Sequence, residues 1–414
     1  MSQKIEIMAP VGSWESLTAA ISAGADSIYF GVQGLNMRSA SSVNFSLDDL
    51  HTIVERCHRH GVKSYLTLNT VLYDQDLEYM NQVLDAAALS KVTAVIIADQ
   101  SAMLAARRRG LEVHISTQVN ISNIEAVEFY SQWADVVVLA RELQLPQVRY
   151  IYDQIRERDI RGPLGELVRI EMFAHGALCM AVSGKCYLSL HEAWKSANRG
   201  SCRQICRRQY HVQDIETGAE LEVDNKYILS PKDLSTIEFL GEMVNSGVRV
   251  LKIEGRARGA EYVKRVCESY RQALNLIERE EYTPEAAHEI YDRLCEVFNR
   301  GFWGGYYLGH KVGKEFGEWT SSYGSSATRT KVYIGRVTNF FNRINVAEIE
   351  LQSGDLSVGD SLLITGETTG AAELICSEIR LPHGDGVDKA LKGGKCSIPT
   401  GDIALRRGDK VYRW

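Results

Sequence analysis

From the N-terminus to about residue 298, short apolar runs rich in β-branched side chains alternate with longer stretches whose apolar positions recur at helical spacing. The strand-like runs cover residues 5–9, 27–31, 63–69, 94–98, 112–117, 135–140, 169–174 and 248–254. Helical stretches lie between them at 13–23, 46–60, 75–90 and 124–133; in the second, Leu47, Leu50, Ile53 and Val54 share one face. Eight strands, each followed by a helix or an insertion, predict a parallel sheet of the α/β class. The count and the length predict closure into an eight-stranded β/α (TIM-like) barrel, a fold of roughly 250 residues before insertions. A doubly wound open sheet is the alternative.

After the eighth run, residues 261–279 and 284–298 read as two helices, and 299–329, rich in glycine, aromatics and serine, as a connector crossing the surface. From residue 330 the period changes to two, with runs at 332–337, 346–351, 361–364, 373–381, 395–398 and 411–414. Turns such as Gly354-Asp355, Gly359-Asp360 and Gly408-Asp409 separate them. Short strands joined by such turns predict a small all-β barrel. The phrase Leu356-Ser-Val-Gly-Asp-Ser-Leu362 resembles a turn in the β-barrels of translation GTPases. The expected organisation is a catalytic barrel (1–298) with an insertion at 177–247, a connector (299–329) and a C-terminal β-barrel (330–414).

Composition narrows the class. Apolar residues make up 45% and charged residues 24%, which suits a protein with a sizeable core. No apolar run approaches the roughly 18 residues of a membrane span. The opening Met1-Ser-Gln-Lys-Ile5 enters a strand pattern without a signal-like core, so a cytoplasmic location is expected, with no membrane partner. A net charge of −6 means that any nucleic-acid binding needs a local basic patch. In a barrel of this type chemistry gathers at the C-terminal strand ends. Those ends carry Asn69, Asp99, Ser116-Thr-Gln118, Arg141-Glu142, His175 and Lys252-Ile-Glu-Gly-Arg256.

Of nine cysteines, Cys57, Cys267, Cys295, Cys376 and Cys396 lie in helix or strand patterns and read as small buried hydrophobes. The other four form Cys179-x6-Cys186-x15-Cys202-x3-Cys206 within the insertion. Four thiolates can hold a tetrahedral zinc ion or a [4Fe–4S] cluster. Structural zinc favours tight C-x2-C or C-x4-C pairs. A cube with an iron at each corner accepts ligands from more dispersed backbone, so the spacing leans towards iron–sulfur. Gly176, Gly184 and Gly200 could let backbone amides approach such a group, and Arg199, Arg203, Arg207 and Arg208 could offset thiolate charge.

These residues also carry a family resemblance. Glu171-Met-Phe-Ala-His-Gly-Ala-Leu-Cys179 and Ser183-Gly-Lys-Cys186-Tyr-Leu-Ser189 resemble the signature of the U32 "peptidase" family. So do Asn198-Arg-Gly-Ser-Cys202, Leu229-Ser-Pro-Lys-Asp-Leu234, Lys252-Ile-Glu-Gly-Arg256 and Asn299-Arg-Gly-Phe302. The subgroup with a C-terminal β-barrel is similar to tRNA hydroxylation proteins. That resemblance implies a four-cysteine iron–sulfur cluster, tRNA as partner, a prephenate-like co-substrate and 5-hydroxyuridine as product; it names no partner subunit. The family's older label implies a collagenase-like (metallo)protease instead. Against proteolysis, the chain has neither a His-Glu-x-x-His nor a Gly-x-Ser-x-Gly motif, although a cysteine paired with His175 is conceivable. A non-catalytic cluster-binding scaffold is a third class.

The expected metal ligands are therefore Cys179, Cys186, Cys202 and Cys206, with zinc as the alternative ion. Expected catalytic groups are His175, Lys252, Glu254 and Arg256, of which Lys252 and Arg256 sit where a small acid could be held. Asn69, Gln118, Arg203, Arg207 and Tyr210 are the expected substrate contacts, with Tyr187 and Trp194 nearby to stack on an extruded base.

Overall fold

The computed structural model describes residues 4–39, 44–210, 215–217, 229–309 and 324–414. Strands β1 (Glu6–Pro10), β2 (Ser27–Phe30), β3 (Lys63–Leu68), β4 (Ala94–Ile97), β5 (Glu112–Ile115), β6 (Val136–Val138) and β7 (Arg169–Ala177) run parallel, each paired with the next. A short β8 (Asp233–Ser235) lies outside the ring, and β9 (Val248–Ile253) closes it by pairing with both β7 and β1. Leu251 stands between Met172 and Ile7 at that closure. The eight-stranded barrel that the sequence predicts is present, and the open sheet is excluded.

Period-two patterning sorts the strand side chains into two layers. Ile7, Ala9, Ile28, Phe30, Leu66, Leu68, Val95 and Ile97 join the large core beneath the helices. Their neighbours Met8, Tyr29, Tyr65, Ala94, Ile96, Val136 and Val250 form a separate cluster inside the barrel. The outer helices are α1 (Trp14–Ser22), α2 (Asp49–Arg59), α3 (Leu77–Leu89), α4 (Gln100–Arg108), α5 (Ile124–Ser131) and α6 (Leu145–Glu157). Side chains cap several of them: Ser13, Asp99 and Asn123 accept the Ser16, Ser101 and Ala126 amides of α1, α4 and α5.

The described parts of the long interval after β7 include regular elements. The interval carries α7 (Leu188–Ala193), returns as β8 antiparallel to the extended end of β7, and enters β9 through α8 (Leu240–Asn245). After β9 come α9 (Ala260–Glu278) and α10 (Pro284–Cys295). The segment expected to cross the surface instead adds β10 (Phe302–Trp303), parallel to β8, and sends Phe302 and Tyr307 into the core. Apolar aromatics explain the difference: the Tyr307 ring is buried and its hydroxyl donates to the Phe173 carbonyl at 2.9 Å.

Residues 332–413 form antiparallel sheets, as their patterning predicts. One has eight strands: β11 (Val332–Phe341), β12 (Val346–Leu351), β14 (Ser361–Gly366), β15 (Gly370–Ile375), β16 (Ile379–Arg380), β17 (Gly386–Val387), β19 (Lys395–Pro399) and β20 (Lys410–Arg413). The other pairs β13 (Leu356–Ser357) with β18 (Lys389–Ala390). The run expected at 373–381 is broken between β15 and β16. Both sheets share one core that includes Ile334, Ile349, Leu356, Ile364 and Ile398. A smaller cluster, Ala19, Ala260, Leu363 and Ala371, joins them to α1 and α9, and Arg265 reaches Glu373 at 2.8 Å.

Gly176, near the end of β7, has φ +104°, and a Cβ there would lie 2.2 Å from the backbone oxygen of Glu254. Gly176→Ala should therefore cost about 3 kcal/mol, from backbone strain and displacement of β9. Gly386→Ala, in open space at ordinary φ, should stay within about 0.5 kcal/mol of wild type. Guanidinium unfolding of the two variants checks the contrast.

Candidate functional site

Barrels of this kind are usually filled by branched apolar side chains. Here the inward positions of β1, β3, β5 and β7 include Glu6, Lys63, Tyr65, Glu112, His114, Arg169 and Glu171. Buried charges persist only when paired. Glu6 accepts from Lys63 at 2.9 Å, Tyr65 at 2.7 Å and Arg169 at 3.3 Å. His114 Nε2 lies 3.2 Å from Glu112 and its Nδ1 3.7 Å from Glu171, and Lys252 donates to Glu171 at 2.6 Å. Burial alone would raise the Glu171 carboxyl, but the Lys252 charge and His114 hold it below its ordinary value. Burial would likewise lower His114, and its hydrogen bond to Glu112 and the nearby Glu171 carboxylate raise it instead.

Above this layer, at the C-terminal strand ends, opens a cavity of about 460 Å³. Among the described residues its wall holds Arg38, Arg141, Lys185, Arg207, Lys252, Arg256, Arg258 and Arg300 against one carboxylate, Glu254. Glu254 accepts from Arg38 at 2.7 Å and from the Tyr29 hydroxyl at 3.0 Å. Burial would raise its pKa, yet the Arg38 and Arg256 charges hold it at about 2. Arg256 donates to Thr67 and Asn36, each at 3.0 Å, and burial lowers its pKa to about 10. Gly31 makes room for it: a Cβ there would lie 2.3 Å from the Arg256 guanidinium. On the opposite side, Gln118 Oε1 accepts from Ser116 and, at 3.3 Å, from Asn69.

The insertion is laid across this mouth and tied to it. Asn120 donates to the Ser183 carbonyl at 3.0 Å, the Val71 amide to the Asn198 carbonyl at 3.0 Å, and Arg199 binds Asp76 while stacking on Tyr73. Arg207 gathers Ser230 and the Pro231 and Leu178 carbonyls, which pulls the two ends of the described insertion together. The result places Cys179, Cys186, Cys202 and Cys206, all free thiols, on the wall of the one cavity. Burial raises the thiol pKa of Cys206; Arg207 opposes it, and the other three cysteines add to it. Cys186 is raised in the same way, by burial first. Four thiolates so placed repel one another, so the donor set suits a multiply charged cationic group. Among the described residues, no three His, Cys, Asp or Glu side chains converge closely enough to hold a single ion.

Among the expected site residues, Asn69, Gln118, Arg207, Lys252, Glu254, Arg256 and the four cysteines meet on the cavity wall. His175, Arg203 and Tyr210 are not part of it. His175 is enclosed by Tyr262, Tyr270 and Phe302, neither ring nitrogen has a partner among the described residues, and burial drops its pKa to about 3. It makes no hydrogen bond to a cysteine, so the conceivable Cys–His pair is absent. Arg203 is exposed outside the lining, while Tyr210 turns its hydroxyl to the Ile205 carbonyl at 2.7 Å. Arg199 and Arg208 are engaged by Asp76 and Glu192, which leaves Arg207 as the arginine of that group beside the thiols. Tyr187 lines the lip and is 75% exposed; Trp194, 88% exposed, stands outside it. Arg38, Tyr29, His114 and Glu171 had no assigned role. Glu112, His114 and Glu171 could have been found as polar residues at inward positions of buried strands; Arg38, on an irregular loop, left no such signal.

The model of peptidase family U32 matches residues 12–316. A protein of Porphyromonas gingivalis named collagenase is 56% identical over 409 residues, covering 99% of this chain and 97% of its own. A tRNA hydroxylation protein of Bacillus subtilis is 34% identical over 66% of this chain and 64% of its own. A 23S rRNA 5-hydroxycytidine synthase of Escherichia coli is 37% identical over 67% of this chain and 40% of its own. No helix among the described residues is long and apolar enough to cross a membrane.

Two outcomes follow from the buried charges. Lys252→Met strands Glu171 and should cost about 3–5 kcal/mol, whereas Lys252→Met with Glu171→Leu should cost less than the single change; denaturant unfolding of both measures this. His175 binds no proton in the folded state until the pH nears 3, while the unfolded chain protonates it near pH 6.5. Its folded pKa is depressed, so wild-type stability falls with pH through that window. His175→Leu should thus gain stability over wild type as pH drops from about 7 to 4 and show a constant difference above pH 8, readable as a shift in thermal midpoint.

Proposed function

This chain belongs to peptidase family U32, and we propose that it hydroxylates a pyrimidine in RNA, converting the wobble uridine of tRNA to 5-hydroxyuridine with a prephenate-like acid as co-substrate. The observation that carries the proposal is the set of four free thiols on the wall of a cationic cavity at the barrel mouth. Cys179, Cys186, Cys202 and Cys206 would hold a [4Fe–4S] cluster, which supplies one-electron transfer when bound. Relatives named for tRNA and rRNA hydroxylation support the substrate class.

The chain's own residues fit that task. A nucleotide carries negative charge, and the excess of cations over Glu254 in the lining favours its entry. Tyr187 at the lip offers a face on which an extruded base can stack. Gln118 Oε1 is spent on Ser116 and Asn69, which leaves Nε2 as the donor for a base edge. Lys252 Nζ, fixed by Glu171, presents its remaining hydrogens from the wall beneath, and the Arg38–Glu254–Tyr29 group holds the adjacent wall rigid.

A second function, proteolysis, is favoured by one observation, the collagenase name of a relative 56% identical to this chain. Neither a Cys–His pair nor a converged single-metal ligand set is present among the described residues to support it.

Protein reconstituted without oxygen should be brown and carry about four irons per chain; stoichiometric zinc without iron would defeat the cluster. Deleting the gene in its host should remove 5-hydroxyuridine derivatives from tRNA, as read by nucleoside mass spectrometry. The intact gene should restore them and Cys179→Ala should not. An unchanged nucleoside profile together with gelatin cleavage by pure protein would establish the peptidase instead.

A further inference from the structure

Most cations of the cavity already have partners. Lys252 is bound by Glu171, Arg38 by Glu254, and Arg300 by Asp233 at 3.2 Å, with Arg258 3.9 Å from the same carboxylate and stacked on Phe298. Arg256 and Arg207 spend their guanidinium nitrogens on hydroxyl, amide and carbonyl oxygens. Arg141 differs. It follows β6, lines the cavity, and makes no hydrogen bond or ion pair through any nitrogen to the described residues. Its Nε is buried without a partner. Arg249 and Arg265 also bury a lone Nε, but their terminal nitrogens are bonded to Val244 and Glu373. The Arg141 guanidinium carbon lies 4.1 Å from the centre of the Phe173 ring, over its face.

A buried donor without a partner is costly, and native structures rarely leave one unmet. A planar guanidinium with its edge free, backed by an aromatic ring, is built to grip a carboxylate or phosphate through two parallel bonds. Phe173, Ile96 and Met37 give the cavity an apolar wall suited to a ring or short hydrocarbon body. We propose that Arg141 is the anchor for the carboxylate of a small ligand whose apolar body rests along Phe173. This moves the acid-binding role away from Arg256, whose terminal nitrogens are spent on Thr67 and Asn36, and from Lys252, whose charge is already met by Glu171. As the co-substrate subsite it rests on the proposed hydroxylation, but the binding event does not require RNA.

Isothermal titration of the purified full chain with phenylacetate and with its neutral isostere phenylacetamide isolates the carboxylate. Wild type should bind the acid more tightly than the amide by roughly 10- to 100-fold, the range expected of a charge-assisted pair. Arg141→Gln should abolish that preference, and Arg141→Lys, which keeps the charge but not the fork, should restore only part of it. Arg141 has no hydrogen bond or ion pair to lose among the described residues and gives up only its contact with Phe173, so the thermal midpoint of Arg141→Gln should stay within about 3 °C of wild type, which separates lost binding from lost folding. Equal affinity for acid and amide, no saturable binding of phenylacetate, or an Arg141→Gln preference like wild type would each overturn the assignment. So would a fall in affinity for a short oligouridylate alone, which would give Arg141 to an RNA phosphate. The nucleoside profile of the deletion strain stands apart: its failure would remove hydroxylation and leave the titration result intact.

Discussion

The ion pair between Lys252 and Glu171 bridges β7 and β9, the two strands between which the chain makes its long excursion over the barrel mouth. Both side chains are buried, so neither tolerates separation from the other. A slip of one residue between these strands would turn one partner outward and leave the opposite charge stranded inside the barrel. Hydrophobic strands alone specify register weakly when both faces are apolar. The charged interior removes that ambiguity at the closure, where two irregularities in the β7–β9 pairing show that the fit is already adjusted. The position of Cys179, at the exit of β7, and of Glu254 and Arg256, at the exit of β9, depends on it.

The same logic continues upward. Among the described residues, carboxylates and cations in the lower layers pair with one another, and cations outnumber carboxylates at the mouth. A field concentrated there, with low-dielectric walls around it, draws acidic molecules into a protein whose net charge is −6. Global charge would have suggested the opposite preference.

Much of this was legible in the residues. Strand positions follow from runs of β-branched side chains buried on both faces, and the clustering of the four cysteines singled out a segment that lines the cavity at the barrel mouth. What escaped was three-dimensional pairing. His175 reads as a catalytic group by its position at a strand end, yet Tyr262 and Tyr270, nearly a hundred residues later, enclose it. Arg203 and Arg207 are indistinguishable in the sequence; a 3-10 turn from Ile205 to Arg207 points one at the cavity and leaves the other in solvent. The segment after Asn299 reads as a connector because its apolar residues lack period, but Phe302 and Tyr307 are buried singly rather than as a face.

The C-terminal sheet touches the barrel through α1 and α9, the helices that follow β1 and β9. Those strands are the first and last staves of the ring, joined to each other by pairing of residues more than two hundred positions apart. By gripping the helices on both sides of that joint, the sheet acts as a clasp on the barrel's only seam between chain start and chain end. Opening the joint then requires the sheet to let go of one helix. Two cores that look separable in the sequence are thereby coupled in unfolding, and amide protons in β1 and β9 inherit protection from a sheet that grips them through α1 and α9.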